Sequence, residues 1–170
     1  MSLNTFEYVN KLLQVTADAL EIQYTKETPT TLQNWCRENS GVFVANVGMS
    51  ESKTPINRNL DYVTFGVSLY FVVSRDYDVT EEEKLNQESQ ARELASKFIF
   101  LLNKNKFCTA QSEGFNLIFR EGGYLGLGIA GNINISLADK DNNICELFDN
   151  TSTIDVECVK THIYFFLINS

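Results

Sequence analysis

The sequence is poor in the residues on which metal sites and many enzyme active sites are built. It has a single histidine, His162, and its four cysteines never occur in C-x-x-C spacing: Cys36, Cys108, Cys145 and Cys158. A structural zinc site needs four such ligands, usually in close pairs. We therefore expect no metal, and we interpret the cysteines as buried free thiols.

Clusters of basic residues and long apolar runs are also absent. The chain has 14 basic and 22 acidic residues, a net charge of -8, and no Lys/Arg cluster. Affinity for duplex DNA comes largely from neutralising phosphates, so specific DNA binding is disfavoured. The first residues, MSLNTFEYVNKLL, have neither a basic start nor a continuous apolar run. We expect no signal peptide and no membrane span, and synthesis in a reducing cytosol.

The composition is that of a folded globular protein. Hydrophobic residues make up 44% and charged residues 21% of 170 residues. This length is enough to bury one substantial core and too short to favour two. We expect residues 1–170 to form a single domain.

Two stretches have helical periodicity. Residues 4–24 repeat apolar side chains at steps of three and four, with Asn4 and Glu7 spaced as a capping box. A second helix is predicted from Thr80, with Glu83 completing its capping box and Lys104 near its end. Its predicted buried stripe is Leu85, Ala91, Leu94, Ala95, Phe98, Ile99 and Leu102. Between these helices, residues 25–40 are predicted to be a loop with a short turn or strand.

The remaining apolar segments alternate as strands do. GVFVANVG (41–48) predicts a short strand, and DYVTFGVSLYFVVS (61–74) predicts a longer one. The polar residues 48–61 between them predict a protruding loop, longer than most hairpin connections. Strands and turns are predicted from FNLIFRE to the end. The fold class is therefore α+β, an antiparallel sheet covered by two helices in the order α-β-β-α-β-β-β-β.

Residues 123–137, GYLGLGIAGNINISL, contain the G-x-G-x-x-G spacing of a dinucleotide-binding loop. That loop requires a helix to open at the third glycine. Here apolar residues alternate straight through Gly126, Gly128 and Gly131, and the following NINIS favours a strand. We expect no nucleotide cofactor, and a strand with one bare face, which fits either close intramolecular packing or a subunit contact.

Other motifs also have simpler interpretations. DKDNN begins like a calcium loop at Asp139, but Ile144 stands where glycine is needed and Asn150 where a bidentate glutamate is needed. His162 lies within a predicted strand, and no serine or cysteine occupies a nucleophile elbow. We expect no catalytic residues, and therefore not an enzyme.

The chain resembles the tail-completion and tail-terminator family of tailed bacteriophages. The likeness runs from FEYVNKLLQ through TFGVSLYFVVSRDYDVTEEEKLNQESQARELASKFIFLLN to HIYFFLI, and it rests on element order, size and the strand-to-helix junction FVVSRDYD. It implies a virion structural protein at the head-tail junction or tail, assembled in the host cytoplasm as a hexameric or dodecameric ring. Such a ring contacts portal, connector or tail proteins and passes DNA through its channel without binding it specifically.

Ring closure needs two complementary surfaces, and we expect the predicted loop at 48–61 to supply one of them. The expected subunit contacts there are Met49, Glu51, Lys53, Pro55, Asn57 and Arg58. An acidic channel would let DNA pass without adhering. The alternative is a small α+β adaptor module, of bacterial or phage origin, that binds a protein partner without forming a ring.

Overall fold

A computed structural model describes residues 5–39, 41–57, 60–74, 80–105, 108–118 and 127–137. These form three helices and one five-stranded sheet: α1 (Thr5–Ala19), β1 (Gln23–Lys26), α2 (Pro29–Glu38), β2 (Phe43–Asn57), β3 (Leu60–Ser74), α3 (Glu81–Lys104), β4 (Cys108–Ile118) and β5 (Leu127–Leu137). The strand order is β1-β2-β3-β5-β4. β1 runs parallel to β2, and the other neighbouring strands are antiparallel.

One face of the sheet is covered by α1 and α3. Alternate residues of β3 and β5 point to this face, among them Phe65, Phe71 and Ile133, and all three are fully buried. Phe71 meets Phe98 of α3 edge to face, with ring centroids 5.4 Å apart. Because strand side chains alternate between faces, this helix-covered face takes alternate residues of β3 and β5 into the main core.

The short helix α2 packs on the opposite face, at one end of the sheet. Leu32 and Cys36 are buried there against Phe43 and Val72. The helix begins at a reciprocal capping box in which the Thr28 hydroxyl accepts from the Thr31 backbone N–H. The prediction of a loop with a short turn or strand at 25–40 was therefore wrong for Pro29–Glu38, whereas Thr25 and Lys26 do lie in a short strand.

The helix α1 is shorter than the apolar stripe in the sequence indicates. After Ala19 the chain turns at Glu21, whose φ of 56° is left-handed. The N–H of Ile22 returns to the carbonyl of Ala17 at 3.1 Å, as in a Schellman cap. Tyr24 then lies in β1, so the predicted helix over 4–24 is wrong beyond Ala19.

The helix α3 follows the prediction closely. The Thr80 hydroxyl accepts from the Glu83 backbone N–H, and the Glu83 carboxylate accepts from the Thr80 backbone N–H at 2.7 Å. Ala91, Ala95, Phe98 and Leu102 are buried and Leu94 and Ile99 partly buried, as predicted. The prediction that Leu85 is buried is wrong, because 69% of this residue is exposed.

The predicted protruding loop at 48–61 is instead a hairpin. β2 continues to Asn57 and pairs with β3 up to the pair Asn57 and Leu60. In the described residues, β3 pairs with β5 only from Val63 onward. The pairs from Thr54 and Tyr62 to the hairpin end thus lie beyond the described residues of β5, and we call them the hairpin arm. Polar residues here belong to a strand because the hairpin ladder satisfies their backbone groups.

The glycine-rich segment is a strand over its described residues, as predicted. β5 runs without a break through Gly128 and Gly131. A Cβ on Gly131 would lie 2.1 Å from the carbonyl oxygen of Gly114, and one on Gly128 would lie 2.0 Å from that of Phe71. Gly131 lies beside the register shift between Ser112 and Gly114 of β4. Gly128 lies beside the register shift between Val72 and Ser74 of β3. Close approach of backbone therefore explains both glycines.

The α+β class is confirmed, with a mixed five-stranded sheet. The order of elements is not the predicted one: the described residues give α-β-α-β-β-α-β-β, with β1 and α2 additional. β4 also begins at Cys108, before the predicted FNLIFRE. The predictions for Asn4, the Gly122–Gly123 turn, Gly126, the DKDNN turn and the strands after residue 138 lie outside the described residues.

Candidate interface: the polar face of the sheet

The face opposite α1 and α3 is polar wherever α2 does not cover it. Matched register positions of four strands bring hydroxyl and amide side chains together there, and Glu113 joins them from the register shift in β4. We call this surface the polar face. Its members are Ser50 on β2, Thr64, Gly66 and Ser68 on β3, Thr109, Gln111 and Glu113 on β4, and Asn132, Asn134 and Ser136 on β5.

Cross-strand hydrogen bonds connect these side chains. The hydroxyls of Thr64 and Ser136 lie 3.0 Å apart, and the Ser68 hydroxyl donates to the Asn132 amide oxygen at 2.7 Å. The Asn134 amide donates to the Glu113 carboxylate, also at 2.7 Å. Such pairs hold side chains in fixed positions across a sheet. The polar face is therefore ordered by its own contacts.

Most side chains of the polar face are short. At its centre Gly66 has no side chain, and a Cβ added there would lie 3.0 Å from the Ser50 hydroxyl. Asn132 and Ser50 are exposed, while Ser68 and Asn134 are half-buried by their neighbours. A surface of mostly short polar groups offers hydrogen bonds over a broad area. It suits contact with another protein surface better than enclosure of a small molecule.

The polar face has different neighbours at its two ends along the strands. Towards α2 it ends at Tyr70, which packs against the cluster of Leu32, Phe43 and Val72. Towards the other end of β2 and β3 the hairpin arm continues beyond the described residues of β5. The polar face and the hairpin arm therefore adjoin along the same two strands.

The residues predicted as subunit contacts are on the same hairpin but do not form the polar face. Met49, Glu51, Lys53, Pro55 and Asn57 lie in β2, and Arg58 lies outside the described residues. Met49 pairs with Val67 and packs, partly buried, against the main core, and its role as a subunit contact stays a prediction. Glu51 is opposite Phe65 and is exposed. Lys53 and Pro55 pair with Val63 and Asp61.

Several polar-face residues were missed in the sequence. Thr109, Gln111 and Glu113 alternate along CTAQSEGFNLI, but that alternation is weak because few of the intervening residues are strongly apolar. The polar character of residues 48–61 predicts a loop there, which hides Ser50. The bare side of β5 was predicted from the sequence. What the sequence did not show was that β4 extends this surface.

Three buried or partly buried ionisable groups lie on the other side of the sheet. Burial raises the pKa of the Cys108 thiol to about 12. Burial, with a smaller contribution from Cys108, raises the pKa of Tyr8 to about 12. Burial also raises the pKa of Tyr24 to about 12, and its hydroxyl donates to the Asn10 amide oxygen at 2.7 Å. At neutral pH these groups stay protonated, so Cys108 is not an activated nucleophile.

Within the described ranges, no three or more His, Cys, Asp and Glu side chains are placed to share a metal ion. Cys36 and Cys108 are buried free thiols, as predicted, and Cys145 and Cys158 lie outside those ranges. Of the three helices described, none has both the length and the apolar character needed to cross a bilayer.

Comparisons of the chain with family models, with curated proteins and with solved structures give no match.

Proposed function

We propose that the protein is a non-enzymatic structural subunit that assembles with copies of itself into a ring, in the head-tail connector or tail-completion region of a tailed bacteriophage. The observation that carries the self-assembly is the polar face. It spans four strands and joins Thr64 to Ser136, Ser68 to Asn132 and Asn134 to Glu113 by side-chain hydrogen bonds. The phage assignment rests on the sequence resemblance.

A ring requires each subunit to present two different surfaces, because a head-to-tail contact uses one patch on each neighbour. The polar face supplies a broad, ordered surface. The hairpin arm, running beyond the described residues of β5 to the pair of Asn57 and Leu60, supplies a second element that can reach an adjacent subunit. These two features together support a closing contact between identical chains.

The charge of the chain fits a ring that surrounds passing DNA. The net charge is -8, and the first turn of α3 alone carries Glu81, Glu82 and Glu83. A lumen lined by carboxylates repels phosphates, so DNA moves through it without being held. In this proposal the ring joins portal, connector or tail proteins and has no specific DNA site.

Light scattering on the purified chain, over a range of concentrations, tests the proposal. We expect a hexamer or dodecamer of the 19.3 kDa subunit. Ser68→Arg places a long cation in the centre of the polar face and should reduce the assembly to smaller species. Ser96→Arg makes the same change on the exposed side of α3 and should leave the assembly intact.

Three results contradict the proposal or part of it. A monomer at every concentration, both for the purified chain and for the chain taken from particles, argues against any ring. One-to-one capture of another protein by a monomeric chain supports the adaptor module instead. Particle fractions from an infected host that contain no copy of this chain exclude the virion assignment while leaving self-assembly open.

A further inference from the structure

The outer edge of β4 is covered by side chains of α3. β4 is the last strand in the sheet order of the described residues, with β5 on its other side. In an antiparallel strand, residues alternate between those that bond the partner strand and those whose backbone groups point away from it. The outward groups of an edge strand are available to pair with another chain.

Asn103 occupies the outward groups of Ala110. The Ala110 N–H donates to the Asn103 amide oxygen at 2.8 Å, and the Asn103 amide nitrogen donates to the Ala110 carbonyl at 2.9 Å. The same nitrogen donates to the Ile99 carbonyl within α3 at 3.1 Å. The amide therefore makes the two hydrogen bonds that a neighbouring strand would make, and the helix backbone holds it in place.

Two further backbone groups of β4 are also bonded within the chain. The Cys108 N–H donates to the Asn105 carbonyl at 3.3 Å. Arg92, held by Glu88 through hydrogen bonds of 2.7 and 2.9 Å, donates to the Phe115 carbonyl at 3.3 Å. Between them the strand bulges at Gly114, whose φ is 116° and whose N–H donates to the Ser112 hydroxyl. A bulge interrupts the regular pairing that a second strand needs.

We infer that α3 closes the outer edge of β4 through Asn103 and Arg92, and that this closure keeps β4 from pairing with β4 of a second copy. The occupant of an opened edge is a second copy because identical edges present the same outward residues to each other in antiparallel orientation. Side chains that block edges are a known means by which sheets avoid uncontrolled association.

The inference is independent of the proposed ring. If the ring forms, its contacts use the polar face and the hairpin arm, and the closed β4 edge prevents open-ended growth by strand pairing. If the chain is a monomer, the same closure keeps it monomeric. Each variant is therefore compared with the wild-type chain under the same conditions, whatever size the wild-type chain has.

Hydrogen exchange at the Ala110 amide gives the first test. Asn103→Ala removes the acceptor, and we expect exchange at Ala110 at least about fivefold faster than in the wild-type chain, since a hydrogen bond contributes about 1 kcal/mol. Asn103→Asp keeps an acceptor for the Ala110 N–H, so its exchange should stay closer to wild type. Asn86→Ala, at an exposed position of α3, should leave it unchanged.

Light scattering over a concentration series gives the second test. The double variant Asn103→Ala/Arg92→Ala should form species larger than the wild-type chain as concentration rises. The matched control Asn86→Ala/Lys97→Ala also removes one asparagine and one cation from exposed positions of α3, and it should keep the wild-type size. Equal exchange at Ala110 in the wild type and both Asn103 variants would overturn the inference. So would an Asn103→Ala/Arg92→Ala variant that is folded yet has the wild-type size at every concentration.

Discussion

The two faces of the sheet are made by the same strands and have opposite character. On β3, Phe65, Phe71 and their alternate neighbours are buried under α1 and α3, while Thr64 and Ser68 lie on the polar face. On β5, Ile133 is buried and its neighbour Asn132 is exposed. Alternation of side chains in a strand makes this separation possible. Most buried apolar side chains of the sheet therefore lie on one face, and the other face is polar away from α2.

The side chains of the two faces are also held in place by different interactions. The helix-covered face is fixed by tightly packed aromatic rings, such as Phe71 against Phe98 and Phe115. The polar face is fixed by side-chain hydrogen bonds that contribute about 1 kcal/mol or less each. Substitutions of similar kind should therefore have very different effects on the two faces.

The largest difference is expected from removing a side chain at the centre of each face. Phe71→Ala leaves a cavity in the main core and should lower the free energy of unfolding by about 4 kcal/mol. Ser68→Ala, three residues earlier on the polar face, should lower it by less than about 1 kcal/mol. Urea unfolding followed by circular dichroism measures both. Similar losses for the two variants would contradict the separation of roles.

Glycines give the next largest difference. Gly131→Ala puts a Cβ 2.1 Å from the backbone oxygen of Gly114. Because that oxygen is fixed in β4, we expect a loss of about 3 kcal/mol. Gly66→Ala on the polar face meets the Ser50 hydroxyl at 3.0 Å, which can rotate, and the Asn134 amide oxygen at an ordinary contact distance of 3.8 Å. We expect a change within about 0.5 kcal/mol, and the same unfolding experiment distinguishes the two.

A smaller effect is expected at the start of α3, which covers one face only. Thr80→Ala removes the hydroxyl that caps the helix, and it should lower the free energy of unfolding by about 1 kcal/mol. The amide hydrogens in the first turns of α3 should exchange faster. The amide hydrogens of β4 and β5 should exchange at unchanged rates. Faster exchange throughout these strands would show that the cap stabilises the whole sheet.

The smallest effect is a dependence on pH at the same helix end. The hydrogen bond from the Thr80 backbone lowers the pKa of Glu83 below its ordinary 4.5, with the Thr80 hydroxyl adding to this. A carboxylate with a lowered pKa stabilises the fold above its unfolded-state pKa, and the effect is lost as pH falls through the folded-state value. The wild-type advantage over Glu83→Gln, measured by urea unfolding, should therefore shrink as pH drops below 4.5. An advantage that is constant with pH would exclude the carboxylate as its source.

Much of the helix-covered face could be predicted from the sequence. The alternation in DYVTFGVSLYFVVS predicted β3, and the apolar stripe from Ala91 to Leu102 predicted most of the buried side of α3. Both periodicities arise because apolar side chains are buried on one face of the strand or helix. Thr80 and Glu83 marked the start of α3 in the sequence because a capping box depends only on two residues three positions apart. Periodicity alone did not show that α1 stops at Ala19, since that depends on the left-handed turn at Glu21.

The polar face was harder to predict because its residues follow no hydrophobic pattern. Ser50 and Gln111 belong to it only through register with Gly66 and Asn134, and register between strands distant in sequence is a tertiary property. The helix α2 was missed although Thr28 and Pro29 form a good helix start, because its apolar stripe is only Leu32, Trp35 and Cys36.

The most direct test of the claim that the polar face is a subunit contact is thiol labelling at its centre. In Ser68→Cys the new thiol should react at least about tenfold more slowly with a maleimide in the assembled state than after dilution, as expected when a group becomes buried in an interface. In Ser96→Cys, on the exposed side of α3, the rate should be equal in both states. Peptide mass spectrometry separates these sites from the four native cysteines. Equal reactivity of Ser68→Cys in the assembled and diluted chain would contradict the account.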